Sequence, residues 1–264
     1  MKIVYTLWTR PGAFTRDDAY RWSLSNHLAN KHCYQIELVT DTNGQQIAKN
    51  LGLSFDNIRT DLNDLIDIDP VYWAAGKLVA YRIQDEPFCH IDDDVFLFKP
   101  LPESFLSNDL FAQSPETDEK MMVNYTYCIE CHDKNDYEKV SLPLDDFDCY
   151  NAGILGGSDL DFIHAYADAG LDWLREMTAQ GRTHRTGMVL AEQTLFAKMA
   201  REQGKTISCL LSNYGANEEC RDLGYTHLVN QKFWPVMKKK IRRRLKREAP
   251  ANYNLIKHHY ASSV

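Results

Sequence analysis

The chain lacks any uninterrupted apolar run long enough to cross a bilayer, and its opening segment, Met1 to Trp8, holds one lysine and a short apolar stretch before Thr9, Arg10 and Pro11. That is not the charged-then-apolar layout of a secretory leader, so a cytoplasmic protein is expected. A disulfide framework is also missing. The seven cysteines (Cys33, Cys89, Cys128, Cys131, Cys149, Cys209, Cys220) are odd in number and scattered, which argues for reduced, mostly buried thiols. Cys128, Cys131 and His132 have the spacing of a covalent haem attachment site, but attachment needs an exported chain. No second ligand pair follows at zinc spacing, so two thiols on a helix or loop fit better. Internal repeats, low-complexity tracts and a convincing domain linker are absent too.

What is present is ordinary globular composition: 264 residues, 44% hydrophobic and 25% charged. One large α/β domain over residues 1–232 with an appendage over 233–264 is expected. The net charge of −7 is unevenly spread, because from Val236 onward nine Lys/Arg stand against one Glu, leaving about −15 on the rest. An acidic body is unsuited to wrapping nucleic acid, and no nucleic-acid partner is expected. In the tail, Met237, Ile241 and Leu245 recur at every fourth residue among basic residues from Pro235 to Arg247. A basic helix with a narrow apolar stripe fits an anionic membrane surface, here the inner face; the same stripe could dock on the acidic body.

Periodicity gives the elements. Lys2 to Leu7 reads as a strand, Thr15 and Asp18 form a capping box before a helix carrying Tyr20, Leu24 and Leu28, and Tyr34 to Thr40 reads as a second strand ending in a turn at Asn43 and Gly44. Asp69 and Pro70 mark a helix start running to about Ile83. Pro87 to Ile91 is a compact strand that exits into Asp92, Asp93 and Asp94, with Val95 to Phe98 extended beyond. Leu110 to Gln113 and Gly153 to Leu155 are further strands, Asp118 to His132 a helix, and Ser158 with Asp161 caps another. Met188 to Arg201 is the next helix and Thr206 to Leu211 the next strand. Strand, helix, strand at this spacing begins a parallel sheet, whose ligands bind at strand carboxyl ends.

Asp92 and Asp94, two positions apart just past a strand, can turn toward one hard cation, Mn2+ or Mg2+, whose open positions accept diphosphate oxygens. Three adjacent carboxylates also repel one another and require a counterion. Taken alone, such a pair is equally a solvated acidic turn.

The segment Phe88 to Leu101, with Asp92, Asp93 and Asp94 at its centre, resembles the metal-site segment of GT-A glycosyltransferases, and is most similar to the retaining branch that includes glycosyltransferase family eight. That resemblance implies a mixed, mostly parallel sheet flanked by helices, and a nucleotide-diphosphate sugar, a UDP-sugar favoured, as donor. Further segments follow in the implied order. Asn151 to Gly157 resembles the strand lining the sugar pocket, with Asn151 and Gly153 toward the sugar. Glu192 and Gln193 resemble an Asp-Gln pair beside the anomeric carbon. His227 and Lys232 resemble the motif whose His completes the metal shell and whose Lys contacts diphosphate, although Asn230 stands where the family has Gly and the spacing is one residue shorter. Lys77 matches a basic residue that reaches the nucleotide, Asp93 belongs to the same site, and Thr6, Leu7 and Trp8 stand where the base is held.

No glycine-rich phosphate loop follows the first strand, which counts against the pyrophosphorylases that share this fold. The resulting expectation is a metal-dependent hexosyltransferase acting on a glycan, glycolipid or protein, with retention implied by the resemblance only. Asp145, Asp146 or Asp148 would serve as base if the reaction inverts. A sugar-nucleotide-binding protein without transfer and a metal-dependent phosphohydrolase are the alternatives.

Overall fold

The computed structural model describes residues 1–261 apart from Ala13, Cys33, Thr117 and Tyr214. The Cys33 thiol and the Asp145 side chain named above lie outside the described residues. Seven strands, β1 (Lys2–Leu7), β2 (Ile36–Thr40), β3 (Asn57–Arg59), β4 (Phe88–Ile91), β6 (Leu110–Pro115), β7 (Tyr150–Gly157) and β8 (Ser208–Cys209), form one sheet in the order β3-β2-β1-β4-β7-β6-β8. A separate ribbon pairs β5 (Val95–Leu97) with β9 (Tyr225–His227). β7 runs antiparallel to both its neighbours and every other pairing in the main sheet is parallel. The expected layout, mixed but mostly parallel and flanked by helices, is the one observed.

Period-two alternation along β1 divides the core. Ile3, Tyr5 and Leu7 pack on one face with the helix Arg16–Asn30, while Val4 and Trp8 pack on the other with the helices Ala75–Arg82 and Leu160–Ala179. The chain crosses from β1 to β2 on one side and reaches β4 on the other, so the carboxyl ends of β1 and β4 open a crevice between them.

Several boundaries differ from the sequence expectation, each for a local reason. Asn43 and Gly44 belong to a helix, Thr42–Asn50, because Asp41 accepts from the Gly44 N–H and caps it. Asp69 instead closes a short turn onto the Val71 N–H, and the helix starts only at Ala75. Asp159, not Ser158, caps the helix Leu160–Ala179; the Ser158 hydroxyl is held by Asp109. Asn151, Gly156 and Gly157 lie within β7, and the strand expected over 206–211 is confined to β8.

The basic helix forms over Pro235–Glu248 and lies against the helix Arg16–Asn30 with Ile241 and Leu245 buried and Met237 half-buried. Asp17 receives Lys238 at 3.1 Å and Arg242 at 2.5 Å. The apolar stripe thus lies largely against the protein body, as in the docking alternative. Among the described residues no helix is long and apolar enough to cross a membrane. Six described cysteines are free thiols, and Cys131 ends the helix Glu119–Glu130 as its cap, consistent with thiols on a helix.

Candidate metal and nucleotide site

The exit of β4 is tied down from three sides. The Asp92 N–H donates to Gly153 O on β7 at 3.0 Å, the Val95 N–H closes a turn onto Asp92 O at 3.0 Å, and the Leu228 N–H donates to Asp94 O at 3.1 Å. These bonds fix the backbone of the aspartates relative to β9, where Val95 pairs with His227. As a result Asp92, Asp94 and His227 bring one ligand atom each within 4.8 Å of one another.

The histidine is oriented by its far nitrogen. His227 Nδ1 lies 2.6 Å from Gln113 Oε1, which also accepts from the Tyr225 hydroxyl at 2.6 Å. An amide oxygen only accepts, so Nδ1 carries a proton, and Nε2 is the ring nitrogen left facing Asp94 Oδ1 at 3.3 Å and Asp92 Oδ2 at 3.9 Å. Gly153 makes the space: a Cβ there would collide with the His227 ring and the Gln113 amide. Its role is therefore to admit the imidazole.

Asp94 is fully buried, and neither carboxylate oxygen receives a well-directed hydrogen bond, although Lys232 Nζ stands 2.9 Å away. Burial works against its charge, but His227 and Lys232 hold its pKa well below the usual carboxylate range. Two carboxylates and an imidazole nitrogen, with orphaned carboxylate oxygens at the centre, fit a hard divalent cation, which would take the place of a proton on Nε2.

The counterions that the acidic triplet requires are present. Lys77 Nζ bridges Asp92 Oδ1 at 2.6 Å and Glu192 Oε1 at 2.8 Å, and lies 5.9 Å from the centre of the Trp73 ring. Burial opposes its charge, and the two carboxylates more than offset that, raising its pKa above that of an ordinary lysine. Asp93 turns the other way, to Arg21 at 2.7 Å, and burial pushes its carboxyl upward against that cation.

A cleft of about 240 Å³ opens beside this cluster. Thr6, Leu7, Trp8, Lys77, Asp92, Asp93 and Lys232, all expected at the site, line it, together with Arg21, Trp22 and Trp73, which the sequence did not single out. Asn151, Glu192 and Gln193 do not line it. The Asn151 amide is engaged at both ends, accepting from the Gly153 N–H at 2.9 Å and donating to Glu116 at 2.6 Å. Glu192 is buried and held by Lys77, and Gln193 Oε1 accepts from the Tyr125 hydroxyl at 2.5 Å. The Tyr125 oxygen also lies against Glu116, so its one proton is shared between the two acceptors, and burial pushes the Glu116 carboxyl upward against the Tyr125 and Asn151 bonds. Glu116 and Tyr125 thus join Asn151 to Gln193, a link between distant segments that no local pattern marks. Asp146 is taken by Arg201 at 2.6 Å, and Asp148 by the Cys149 N–H at 2.9 Å.

Glu192 and Gln193 sit in a π-helical turn, Leu190–Thr194, within the otherwise α-helical run from Gly187 to Glu202. Such turns re-aim side chains by one position, which places the two residues on different partners. Between His227 and Lys232, Val229 has φ +20°, the one non-glycine among the described residues with positive φ. The strained backbone lets Lys232 return to Asp94.

Solved structures similar to this chain include an active-site mutant of LgtC, at 14% identity over 80% of this chain and 73% of that one, with a TM-score of 0.44. They also include galactosyltransferase LgtC in complex with donor and acceptor sugar analogues, at 14% identity over 72% of this chain and 70% of that one, TM-score 0.43. Mouse xyloside xylosyltransferase 1 in its apo form is similar at 11% identity over 88% of this chain and 93% of that one, TM-score 0.46. At these identities nothing about substrate passes from them to this chain. No curated protein matches it by sequence. The model of the family of unknown function DUF6734 matches residues 1–259, nearly the whole chain, and the protein belongs to that family.

Proposed function

We propose that the protein is a metal-dependent glycosyltransferase that moves a hexose from a nucleotide-diphosphate sugar, a UDP-sugar favoured, to a glycan, glycolipid or protein acceptor with retention of configuration. The observation that carries this reading is the convergence of Asp92, Asp94 and a proton-sorted His227 at the edge of a cleft that also presents two lysines. A bound Mn2+ or Mg2+ would supply Lewis-acid stabilisation of a departing diphosphate.

The chain's own groups account for the remaining needs of such a donor. Lys232, one quarter exposed, faces the cleft with its charge reinforced by Asp94 and is suited to a phosphate oxygen. Trp8 and Trp73 offer aromatic surface to a base, and the Thr6 to Trp8 backbone ends β1 beside it. Gln193, half-buried and held by Tyr125, is suited to orienting a sugar, while Asn151, engaged at both ends, would act by fixing Glu116 and the Gly153 backbone.

The test is thermal stabilisation by a panel of nucleoside diphosphates and their sugars, with and without Mn2+, in wild type and Asp94→Ala. A metal-dependent shift for one nucleotide that vanishes in the variant is expected; no shift for any member would return the aspartates to an acidic turn.

A further inference from the structure

A second groove, of about 330 Å³, lies between the β5–β9 ribbon and the basic helix and shares no lining residue with the cleft above. Paired residues of a ribbon share a face and successive residues alternate. With Val95 opposite His227 and Phe96 opposite Thr226, the ribbon turns His227 to the aspartates and Phe96, Thr226 and Leu228 to this groove. Met237 and Ile241 form its other wall, so its floor is almost wholly apolar.

The rim is cationic. Lys240, Arg243 and Arg247 line it, with Arg244 drawn over the Phe98 ring at 4.8 Å. Glu248 serves Lys31, Arg244 and Arg247 at once, while Lys240 and Arg243 are exposed and form no ion pair among the described residues. Val236, Lys240, Arg243 and Arg247 fall at helical spacings of four, three and four, on one face, and Val236 is 55% exposed. A cluster of unneutralised cations beside an apolar slot, on a protein that is otherwise acidic, matches a molecule with an anionic head and an aliphatic chain.

We propose that this groove binds one phosphate-headed membrane lipid, its acyl chain lying over Phe96, Leu228, Met237 and Ile241 and its phosphate between Lys240 and Arg243. The proposal does not depend on the transferase reading. It differs from insertion of the helix into a bilayer, because the helix stays packed on the body through Leu245 while the flanks of Met237 and Ile241 line the groove. Groove size is within the range of small-ligand sites.

The test uses the full chain and 1-oleoyl-lysophosphatidic acid below its micelle concentration, followed by titration calorimetry. Lys240→Glu with Arg243→Glu is compared with Lys239→Glu with Lys246→Glu, which makes the same charge change outside the groove. One lipid per chain is expected, weakened about tenfold or more in the first variant and little changed in the second. Hydrogen exchange in the unmodified protein adds a readout independent of variant folding: lipid should slow exchange around residues 226–228 and 237–244. The proposal is overturned by equal weakening in both variants, by equal binding of inorganic phosphate, by absence of binding, or by a dimer in sedimentation that the first variant dissolves.

Discussion

The Nδ1 of His227 stands 2.6 Å from Gln113 Oε1, and this one bond decides which ring nitrogen faces Asp94. Outer partners of metal-binding histidines typically contribute about 10- to 100-fold to metal affinity. Gln113→Leu should therefore weaken Mn2+ binding by about that factor while leaving the carboxylates in place, as read by calorimetry. Unchanged affinity would mean that the ring needs no such anchor.

Gly153→Ala puts a methyl group where the His227 ring and the Gln113 amide now meet. Overpacking of this kind costs about 1–3 kcal/mol. The expected result is a folded protein, destabilised by that amount in urea, with Mn2+ affinity reduced alongside. A variant as stable as wild type and binding metal as well would show that the close approach is not needed.

Lys77 neutralises two carboxylates that share its ammonium, Asp92 and the buried Glu192. Removing one partner of a buried pair costs about 3–5 kcal/mol, because a charge is left unpaired. Lys77→Met should lose stability on that scale, and adding Glu192→Gln should recover part of it. If the double variant is no more stable than the single one, Glu192 is not the group left stranded.

The fold was legible wherever one residue type decides a local geometry. The Thr15–Asp18 capping box forms as the sequence indicates, and β1, β4 and β7 fall near the expected apolar runs. At the site, Asp92, Asp94 and His227 were legible from an ordered series of motifs, but their supporting groups were not. Gln113, Glu116 and Tyr125 act on residues 114, 35 and 68 positions away, so no local pattern could reveal them. Asn230, where the resembled family has Gly, keeps right-handed helical backbone at φ −80°, and the positive φ falls instead on Val229, a strain invisible in composition. The apolar stripe of the basic helix was correctly periodic, yet periodicity does not say what covers it; Asp17 and the helix Arg16–Asn30 do.

That docking has a predicted pH dependence. Burial alone would raise the Asp17 carboxyl, but Arg242 and Lys238 hold it below its ordinary value. A group depressed in the folded state stabilises above its unfolded pKa, and that contribution disappears as pH falls through the lowered value. Hydrogen exchange across residues 235–248, corrected for its intrinsic pH dependence, should show lower protection as the solution is acidified below the ordinary aspartate range. Asp17→Asn should show the weaker protection already at neutral pH and little further acid response. Identical profiles in the two proteins would contradict the clasp.

The most direct test of the account is the electron paramagnetic resonance signal of free Mn2+ during titration with the protein, alone and with UDP. Wild type should remove close to one equivalent, more tightly with the nucleotide, and Asp94→Asn and His227→Ala should leave the ion free. Full signal with wild type under both conditions, or equal uptake by the variants, would contradict a cation site at Asp92, Asp94 and His227.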